Sequence, residues 1–330
     1  MQAPAIRSVT GATVNGVILA LPLLPQEMAR RGRRRVSRDI GSLVDLAVKL
    51  GAKVVGLGGY TTPYSRRGLD VVGRGAAITT GNALTAAMAF LSVECVAVER
   101  GLRLRDARAA VVGAAGSVGA LCARLLARAH ARRLVLVGNP ASARGPIQRL
   151  ARELEHDWQT PVEVTTHLAR LDACDLIVTA TTAGRPLLEA APLAPGTIIC
   201  DLARPPDTSA RLRARGDLCV IEGGRVALPD PTIRFGVGNL QNLPDGITLA
   251  CLAETILLAL DGGVRDCGVG DDVPLAQADR ALEMARRHGF APADPYSGHA
   301  TTVFDGRPLS LPHAADRGIF LTNQGAAYGD

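Results

Sequence analysis

Aromatic residues are scarce in this 330-residue chain, which contains five Phe, four Tyr and one Trp. Hydrophobic residues make up 47% of the composition, so the core must be built from Ala, Val and Leu, as in a buried parallel sheet covered by helices. The net charge of +6 favours acidic partners. Because basic residues are not interleaved with aromatic ones, we expect no nucleic-acid partner.

Metal-ligand spacing and secretory signals are also missing from the sequence. The seven cysteines are an odd number, lie mostly in apolar segments and predict neither a zinc site nor a disulfide framework. The most apolar helix candidates, 83–98 and 247–260, are interrupted by Glu94 and Glu254 and are too short to span a bilayer. We therefore expect reduced thiols, no integral membrane association and a cytoplasmic location.

Strand and helix patterns alternate regularly through the middle of the chain. Short β-rich runs bounded by turn residues occur at 107–113, 133–138, 162–167, 175–181, 197–203 and 218–224. This alternation predicts an α/β fold with a doubly wound parallel sheet of the Rossmann type and a second, smaller α/β N-terminal substrate domain.

The same pattern suggests where the domains divide. We expect an N-terminal substrate and catalytic domain at 1–100, completed by helices from 245–290, namely 247–261 and 272–288. A dinucleotide-binding domain is expected at 101–244. Residues 291–330 show no sustained periodicity and predict a loop-like tail.

A glycine loop stands where the first of these strands turns into a helix. The segment VVGAAGSVG places glycines at three-residue intervals, so that the backbone can approach a pyrophosphate at a helix N-terminus. Strand and helix flank the loop as a dinucleotide site requires, although a purely structural glycine turn is the alternative. The predicted cofactor contacts here are Gly113, Ala115, Gly116, Ser117, Val118 and Gly119.

The end of the second strand lacks the acidic residue that binds the ribose hydroxyls in NAD-specific sites. Asn139, Ser142 and Arg144 stand there instead, and they could accept a 2′-phosphate. We therefore predict NADPH as the cofactor. The alternative is that Arg144 is merely a solvated side chain.

Several segments, taken in order, resemble one protein family. They are PLLPQEMARRGRRR, KLGAKVVGLGGYTTPYS, AITTGNALTAA, AAVVGAAGSVGALCARLL, TIICDLARPPD, VIEGGRV, LACLAETILLAL and ARRHGF. The ordered set, which runs from about residue 8 to 290, resembles the long-chain acyl-(acyl carrier protein) reductases of cyanobacteria. The resemblance implies NADPH-dependent reduction of an acyl thioester to an aldehyde, through a thioester on Cys251. It also implies acyl carrier protein or acyl-CoA as the carrier, and an aldehyde-consuming enzyme as a further partner.

Cys251 is a chemically reasonable nucleophile by position. A helix that begins near Thr248 would place it in the first turn, where free N–H groups favour a thiolate and could stabilise an oxyanion. Transfer of the acyl group to an enzyme thiol would also hold the carbonyl in place for reduction. Considered without the family, a cysteine among Leu and Ala is more often a small buried hydrophobe.

Residues in four further parts of the chain are candidates for the site. Gly59, Tyr60, Thr61 and Thr62 follow a strand, where active-site loops collect, and are predicted to bind substrate unless they form a plain turn. In TTGN, Thr80 is a candidate catalytic residue that helix capping alone would also explain, and Asn82 is a candidate polar contact near the nicotinamide. We place Ala180, Thr181 and Gly224 along the dinucleotide because they follow later strands of the sheet.

The run RRGRRR at 30–35 has two interpretations. Such a run is more often a solvated face, and its alternative is a docking surface for an acidic carrier protein.

Other function classes stay open at this point. The segment 175–203 also resembles the dinucleotide domain of ornithine cyclodeaminase-like proteins, which would act on an amino acid or imine with bound NAD(P) and no thiol. CDLARPPD is similar to a segment of glutamyl-tRNA reductase. A non-catalytic dinucleotide-binding regulator is the third possibility.

Overall fold

The computed structural model describes residues 1–140, 145–263 and 265–296. The helices within these ranges are α1 (Pro25–Arg31), α2 (Arg33–Lys49), α3 (Thr61–Tyr64), α4 (Asn82–Glu99), α5 (Ser117–Arg128), α6 (Pro146–Trp158), α7 (Ala210–Arg213), α8 (Ala250–Leu260) and α9 (Leu275–His288). The strands are β1 (Ile6–Arg7), β2 (Thr13–Val14), β3 (Val54–Gly56), β4 (Ala77–Thr79), β5 (Arg108–Val112), β6 (Arg133–Val137), β7 (Val162–Thr165), β8 (Leu176–Thr179), β9 (Ile198–Asp201), β10 (Cys219–Glu222), β11 (Arg225–Ala227), β12 (Ile247–Leu249) and β13 (Ala291–Pro292).

A six-stranded parallel sheet forms the centre of the fold, with strand order β10-β9-β8-β5-β6-β7. Val112, at the end of β5, pairs with Val137 on one side and with Thr179 on the other. The chain therefore winds outward in both directions from β5 and β8, which is the doubly wound topology of a Rossmann fold. The predicted fold class is confirmed.

Two smaller sheets lie beside it. β3 and β4 form a parallel pair, and β11 is flanked by β12 and β13 in an antiparallel sheet. The predicted helix 247–261 is wrong at its start, because residues 247–249 pair with β11 and helix α8 begins at Ala250. The predicted loop-like tail begins with strand β13, and residues 297–330 lie outside the described residues.

Helix α4 is a long and largely buried helix beside the main sheet. It is apolar on nearly every side, and it packs against α5, α8 and α9. Its length and mean hydropathy of 1.4 would suit a membrane span, but 67% of it is buried inside the protein, as in a core helix. One hydrophobic cluster contains Leu84, Val111 and Leu257, and so runs through α4, the main sheet and α8. The domain boundaries at residues 100 and 244 stay a prediction.

The N-termini of α4 and α8 approach each other unusually closely at Gly81. This residue caps α4 with a left-handed φ of +72°, and a Cβ built on it would overlap the Cα and Cβ atoms of Cys251. Glycine is therefore required here both for its conformation and for the missing side chain.

Gly81→Ala tests this contact, with Gly101→Ala as the matched control. Gly101 follows the other end of α4 with a similar φ of +69° and open space around its Cα. Both variants should lose about 1–2 kcal/mol of unfolding free energy to left-handed strain. Gly81→Ala should lose about 1–3 kcal/mol more because α8 must move. Equal losses in urea denaturation would contradict the close approach.

Candidate functional site

The candidate site lies where the parallel strands of the main sheet end. Gly113 follows β5, Thr181 follows β8, Arg204 follows β9 and Gly224 follows β10. Because carboxyl ends of parallel strands meet at one edge, these residues share that edge. Ligands of such sheets bind where the strand order reverses, which here is between β5 and β8.

The glycine loop has the geometry of a phosphate cradle. Gly113 has a φ of +87°, and a Cβ built on it would stand 2.6 Å from the carbonyl oxygen of Ala180. A Cβ on Gly119 would overlap the carbonyl of Gly113. The helix can therefore pack closely on the loop only because residue 119 is glycine. Helix α5 begins at Ser117, and its first N–H groups have no partner within the helix. These residues fit the pyrophosphate of a dinucleotide.

Two predicted cofactor contacts have their hydroxyl groups engaged elsewhere. Ser117 donates through Oγ to the carbonyl of Gly270 at 3.2 Å. Thr181 donates through Oγ1 to Asp207 at 2.6 Å, and burial raises the pKa of the Asp207 carboxyl. A dinucleotide would therefore meet backbone atoms rather than hydroxyl donors at these residues. Ala115, Gly116 and Val118 remain in the loop as predicted positions.

The residues predicted to select NADPH are described only in part. Asn139 is exposed and follows β6 at the same edge of the sheet. Ser142 and Arg144 lie outside the described residues. The preference for NADPH stays a prediction.

Cys251 lies in the first turn of α8, as expected, although the helix begins two residues later than the sequence suggests. The N–H of Ala250 donates to the carbonyl of Gly224 at 2.8 Å. The helix N-terminus is therefore attached to the chain that leaves β10, while Gly81 contacts Cys251 from the other side. The residue as a whole is partly exposed, and it stands at the edge of the sheet that holds the glycine loop.

The thiol of Cys251 is not favoured as a thiolate. Burial of the sulfur is the largest effect on its pKa and raises it above the ordinary value. The Glu254 carboxyl raises the pKa further, whereas the N–H groups of Leu252 and Cys251 and the Arg204 charge lower it. The helix N–H groups favour the thiolate, as expected, but burial outweighs them and the pKa of the thiol is raised.

Glu254 is a site residue that sequence reasoning missed. It is fully buried, and its carboxylate oxygens accept from Thr79 Oγ1 and, at 2.6 Å, from the N–H of Leu84. Burial raises the pKa of this carboxyl. A buried acid joins the end of β4 and the first turn of α4 to α8, one helical turn from Cys251. The signal available in the sequence was a carboxyl inside an otherwise apolar helix.

Arg204 was also missed, although it stands in the quoted segment DLARPPD. Its guanidinium lies 3.3 Å from Glu222 and is one of the charges that lower the pKa of Cys251. The peptide bond between Arg204 and Pro205 is cis. The positive charge of Arg204 therefore opposes the effect of burial on the pKa of Cys251.

The loop at 58–62 is brought toward the same edge. A Cβ built on Gly184 would stand 3.6 Å from the Tyr60 hydroxyl, so this tyrosine faces the chain that follows β8. Thr61 and Thr62 donate their hydroxyls to the carbonyls of Gly58 and Leu57 at 2.7 and 3.0 Å. These two side chains stabilise their own turn. Gly59 in the same turn has a left-handed φ of +58°. Substrate binding by all four stays a prediction.

Thr80 and Asn82 both flank the Gly81 contact, but neither has the expected environment. The helix-cap interpretation of Thr80 is wrong, because Gly81 is the cap and Thr80 donates to the carbonyl of Gly268 at 2.6 Å. Asn82 is the first residue of α4 and is partly exposed, so its amide does not need a protein partner. A catalytic role for either residue stays a prediction.

A second glycine-rich stretch, 267–270, was not recognised in the sequence. Cys267 forms an isolated bridge with Thr79, and Gly268 and Gly270 accept hydrogen bonds from Thr80 and Ser117. This stretch therefore holds the glycine loop and the end of β4 together.

Comparison with known proteins supports the Rossmann-type fold. Several of the proteins that the chain resembles are reductases. The model of the shikimate / quinate 5-dehydrogenase family matches residues 96–222. The aminotransferase PigE of Serratia sp. (strain ATCC 39006) is 30% identical over 88% of this chain, which spans 34% of PigE. The long-chain acyl-[acyl-carrier-protein] reductase of Synechococcus elongatus is 26% identical, over 87% of this chain and 85% of that protein. The glutamyl-tRNA reductase of Halobacterium salinarum is 39% identical over 116 residues, 34% of this chain and 25% of that protein.

Glu254→Gln should destabilise the protein by about 1–3 kcal/mol, because an amide group cannot accept from both donors that Glu254 accepts from. The loss should be largest at and below pH 4.5, the ordinary pKa of this group, and should shrink as pH rises above it. The reason is that the raised pKa in the folded state makes the wild-type protein lose stability above that pH, whereas glutamine does not titrate.

Urea unfolding over a pH series measures this effect, with Glu94→Gln in α4 as the control for a partly exposed glutamate in an apolar helix. A loss that is independent of pH would contradict the raised pKa of Glu254.

Arg204→Gln should slow alkylation of Cys251 by iodoacetamide a few-fold at fixed pH near neutrality, because removal of the nearby positive charge raises the pKa of the thiol further. Arg225→Gln is the matched control, since Arg225 also pairs with Glu222 but is not among the charges that act on the Cys251 sulfur. Peptide mass analysis gives the rate for Cys251 alone. Equal slowing in both variants would show that Glu222, rather than the Arg204 charge, controls the thiol.

Proposed function

We propose that the chain is an NADPH-dependent reductase that converts an acyl thioester into an aldehyde through a thioester on Cys251. One observation carries the proposal. A partly exposed cysteine stands in the first turn of a helix whose N-terminus is attached at the edge of the sheet that bears the phosphate cradle. The similarity to the Synechococcus elongatus reductase extends over 85% of that protein and supports the same chemistry.

The acyl transfer that we propose is a thiol exchange. The Cys251 sulfur forms a bond with the thioester carbonyl carbon, and the bond from that carbon to the carrier sulfur breaks. The proton that Cys251 loses leaves with the carrier thiol. Because burial raises the pKa of Cys251, the positive charge of Arg204 and the N–H groups of Cys251 and Leu252 serve to offset that penalty.

The cofactor would be held by the glycine loop and by the chain that follows β8. When bound, NADPH would supply the hydride that converts the enzyme thioester into an aldehyde and a free Cys251 thiolate. Gly113, Gly116 and Gly119 would allow the phosphates to approach the backbone, and the first N–H groups of α5 would bind them. Glu254 would keep the first turns of α4 and α8 fixed, and with them the sulfur.

An aminotransferase activity is not part of the proposal, in spite of the similarity to PigE. Aminotransferases that use pyridoxal phosphate form a Schiff base with a lysine held inside the site. The sequence has two lysines, Lys49 and Lys53, and both are exposed.

Intact-protein mass after incubation with an acyl thioester tests the proposal. The wild-type protein should gain the mass of one acyl group, and addition of NADPH should remove it with release of an aldehyde. Cys251→Ala should stay unmodified, and Cys95→Ala, which removes the other partly exposed thiol, should be acylated normally. Retained acylation of a folded Cys251→Ala variant would refute the assignment.

The alternatives have their own outcomes in that experiment. Reduction of an imine or amino acid substrate that is insensitive to thiol alkylation would favour the cyclodeaminase-like function. Tight NADPH binding without acylation or turnover would favour a regulator.

A further inference from the structure

A strongly basic surface pocket lies on α2 and the turn that follows α3. It has a volume of about 420 Å³ and is lined by Arg33, Arg34, Ser37, Arg38, Arg66, Asp70 and Arg74. Five guanidinium groups face one carboxylate. We call this group of residues the arginine pocket.

The charges of the arginine pocket are only partly neutralised by the protein. Arg66 and Arg33 lie 2.5 and 3.9 Å from Asp70, and Arg74 pairs with Asp45 at 2.8 Å. Among the described residues, no carboxylate forms an ion pair with Arg34 or Arg38, which lie one helical turn apart and are exposed. Two guanidinium groups are therefore available to a ligand.

The position of this charge is unfavourable for the protein alone. The first turn of α2 consists of Arg33, Arg34 and Arg35. This turn contains no acidic residue. The positive end of a helix dipole and several like charges repel one another there, so the arrangement costs stability unless an anion is bound. The planar forks of arginine suit the oxygens of a phosphate group.

The arginine pocket is connected to the candidate site by short paths. Arg66 follows Tyr60 by six residues, which span at most about 20 Å at roughly 3.3–3.6 Å per residue. The carbonyl of the neighbouring Arg67 accepts from the N–H of Gly270 at 2.9 Å, and Gly270 in turn accepts from Ser117 at the start of α5. An extended pantetheine arm can cover the distance from the arginine pocket to Tyr60.

We infer that the arginine pocket binds the phosphate group on the pantetheine arm of the thioester substrate. This inference rests on the proposed thioester function. The phosphate could belong to coenzyme A or to a phosphopantetheinylated carrier protein, and both present the same phosphate ester of pantetheine. RRGRRR thus contributes Arg33 and Arg34 to a defined site, while Arg30 and Arg35 of the same run do not line it.

The test is a comparison of three thioesters of one acyl group, carried by coenzyme A, by a carrier protein and by N-acetylcysteamine, which has no phosphate. The double variant Arg34→Gln/Arg38→Gln should raise KM for the preferred phosphorylated carrier by about tenfold or more, with little change in kcat. KM for the N-acetylcysteamine thioester and for NADPH should not change. Which phosphorylated carrier shows the larger effect identifies the source of the phosphate.

Arg30→Gln/Arg35→Gln is the matched control, because it removes the same charge from the same run outside the pocket. Equal effects of the two double variants would show a nonspecific electrostatic effect and overturn the inference. A raised KM for NADPH in the first variant would assign the pocket to the cofactor instead and would also overturn it.

Calorimetric titration separates this inference from the proposed function. Free coenzyme A should bind Cys251→Ala more tightly than pantetheine does, and the Arg34→Gln/Arg38→Gln changes should remove that difference. If no thioester acylates Cys251 but this difference is present, the proposed function fails and the phosphate site stands. If the N-acetylcysteamine thioester acylates Cys251 but the difference is absent, the phosphate site alone is refuted.

Discussion

The structure depends on the close contact between the first turns of α4 and α8. Gly81 has no side chain, so the backbone of Cys251 can lie directly against it, and Glu254 secures the same contact from inside the protein. Because α4 packs on α5 and α8 is attached to Gly224, this contact ties the candidate nucleophile to the Rossmann sheet. A change in the spacing of these two helices would move the sulfur relative to the cofactor cradle.

This contact carries an electrostatic cost. Burial raises the pKa of both Cys251 and Glu254, so two acidic groups one helical turn apart are each favoured in the protonated form. The sulfur is thus shielded from solvent at the expense of its reactivity. Arg204 and the helix N–H groups act in the opposite direction, and the balance between them sets how easily the thiolate forms.

The sequence was sufficient to predict the parallel sheet, because short β-branched runs alternate with helical patterns and glycines mark the turn after β5. It also placed Cys251 in the first turn of its helix. The start of α8 was misplaced because the pairing of Ile247 to Leu249 with β11 is a tertiary contact that overrides helical periodicity.

Contacts between distant parts of the chain explain what the sequence could not predict. Glu254 binds the N–H of a residue 170 positions away, and Gly268 accepts from Thr80 across 188 positions. The pKa of Cys251 depends on how deeply the sulfur is buried. The depth of burial is a tertiary property that no local sequence pattern encodes. The run RRGRRR is divided between α1 and α2. The division falls at Gly32, where a φ of +78° interrupts the helical backbone between the two helices.

The most direct test of the central claim is a single-turnover experiment with the acylated protein. Enzyme carrying an acyl group on Cys251 is separated from free thioester and mixed with NADPH. The account predicts that one aldehyde is released and one NADPH oxidised for each acyl group lost from Cys251. An acyl group that stays on Cys251 in the presence of saturating NADPH would contradict it.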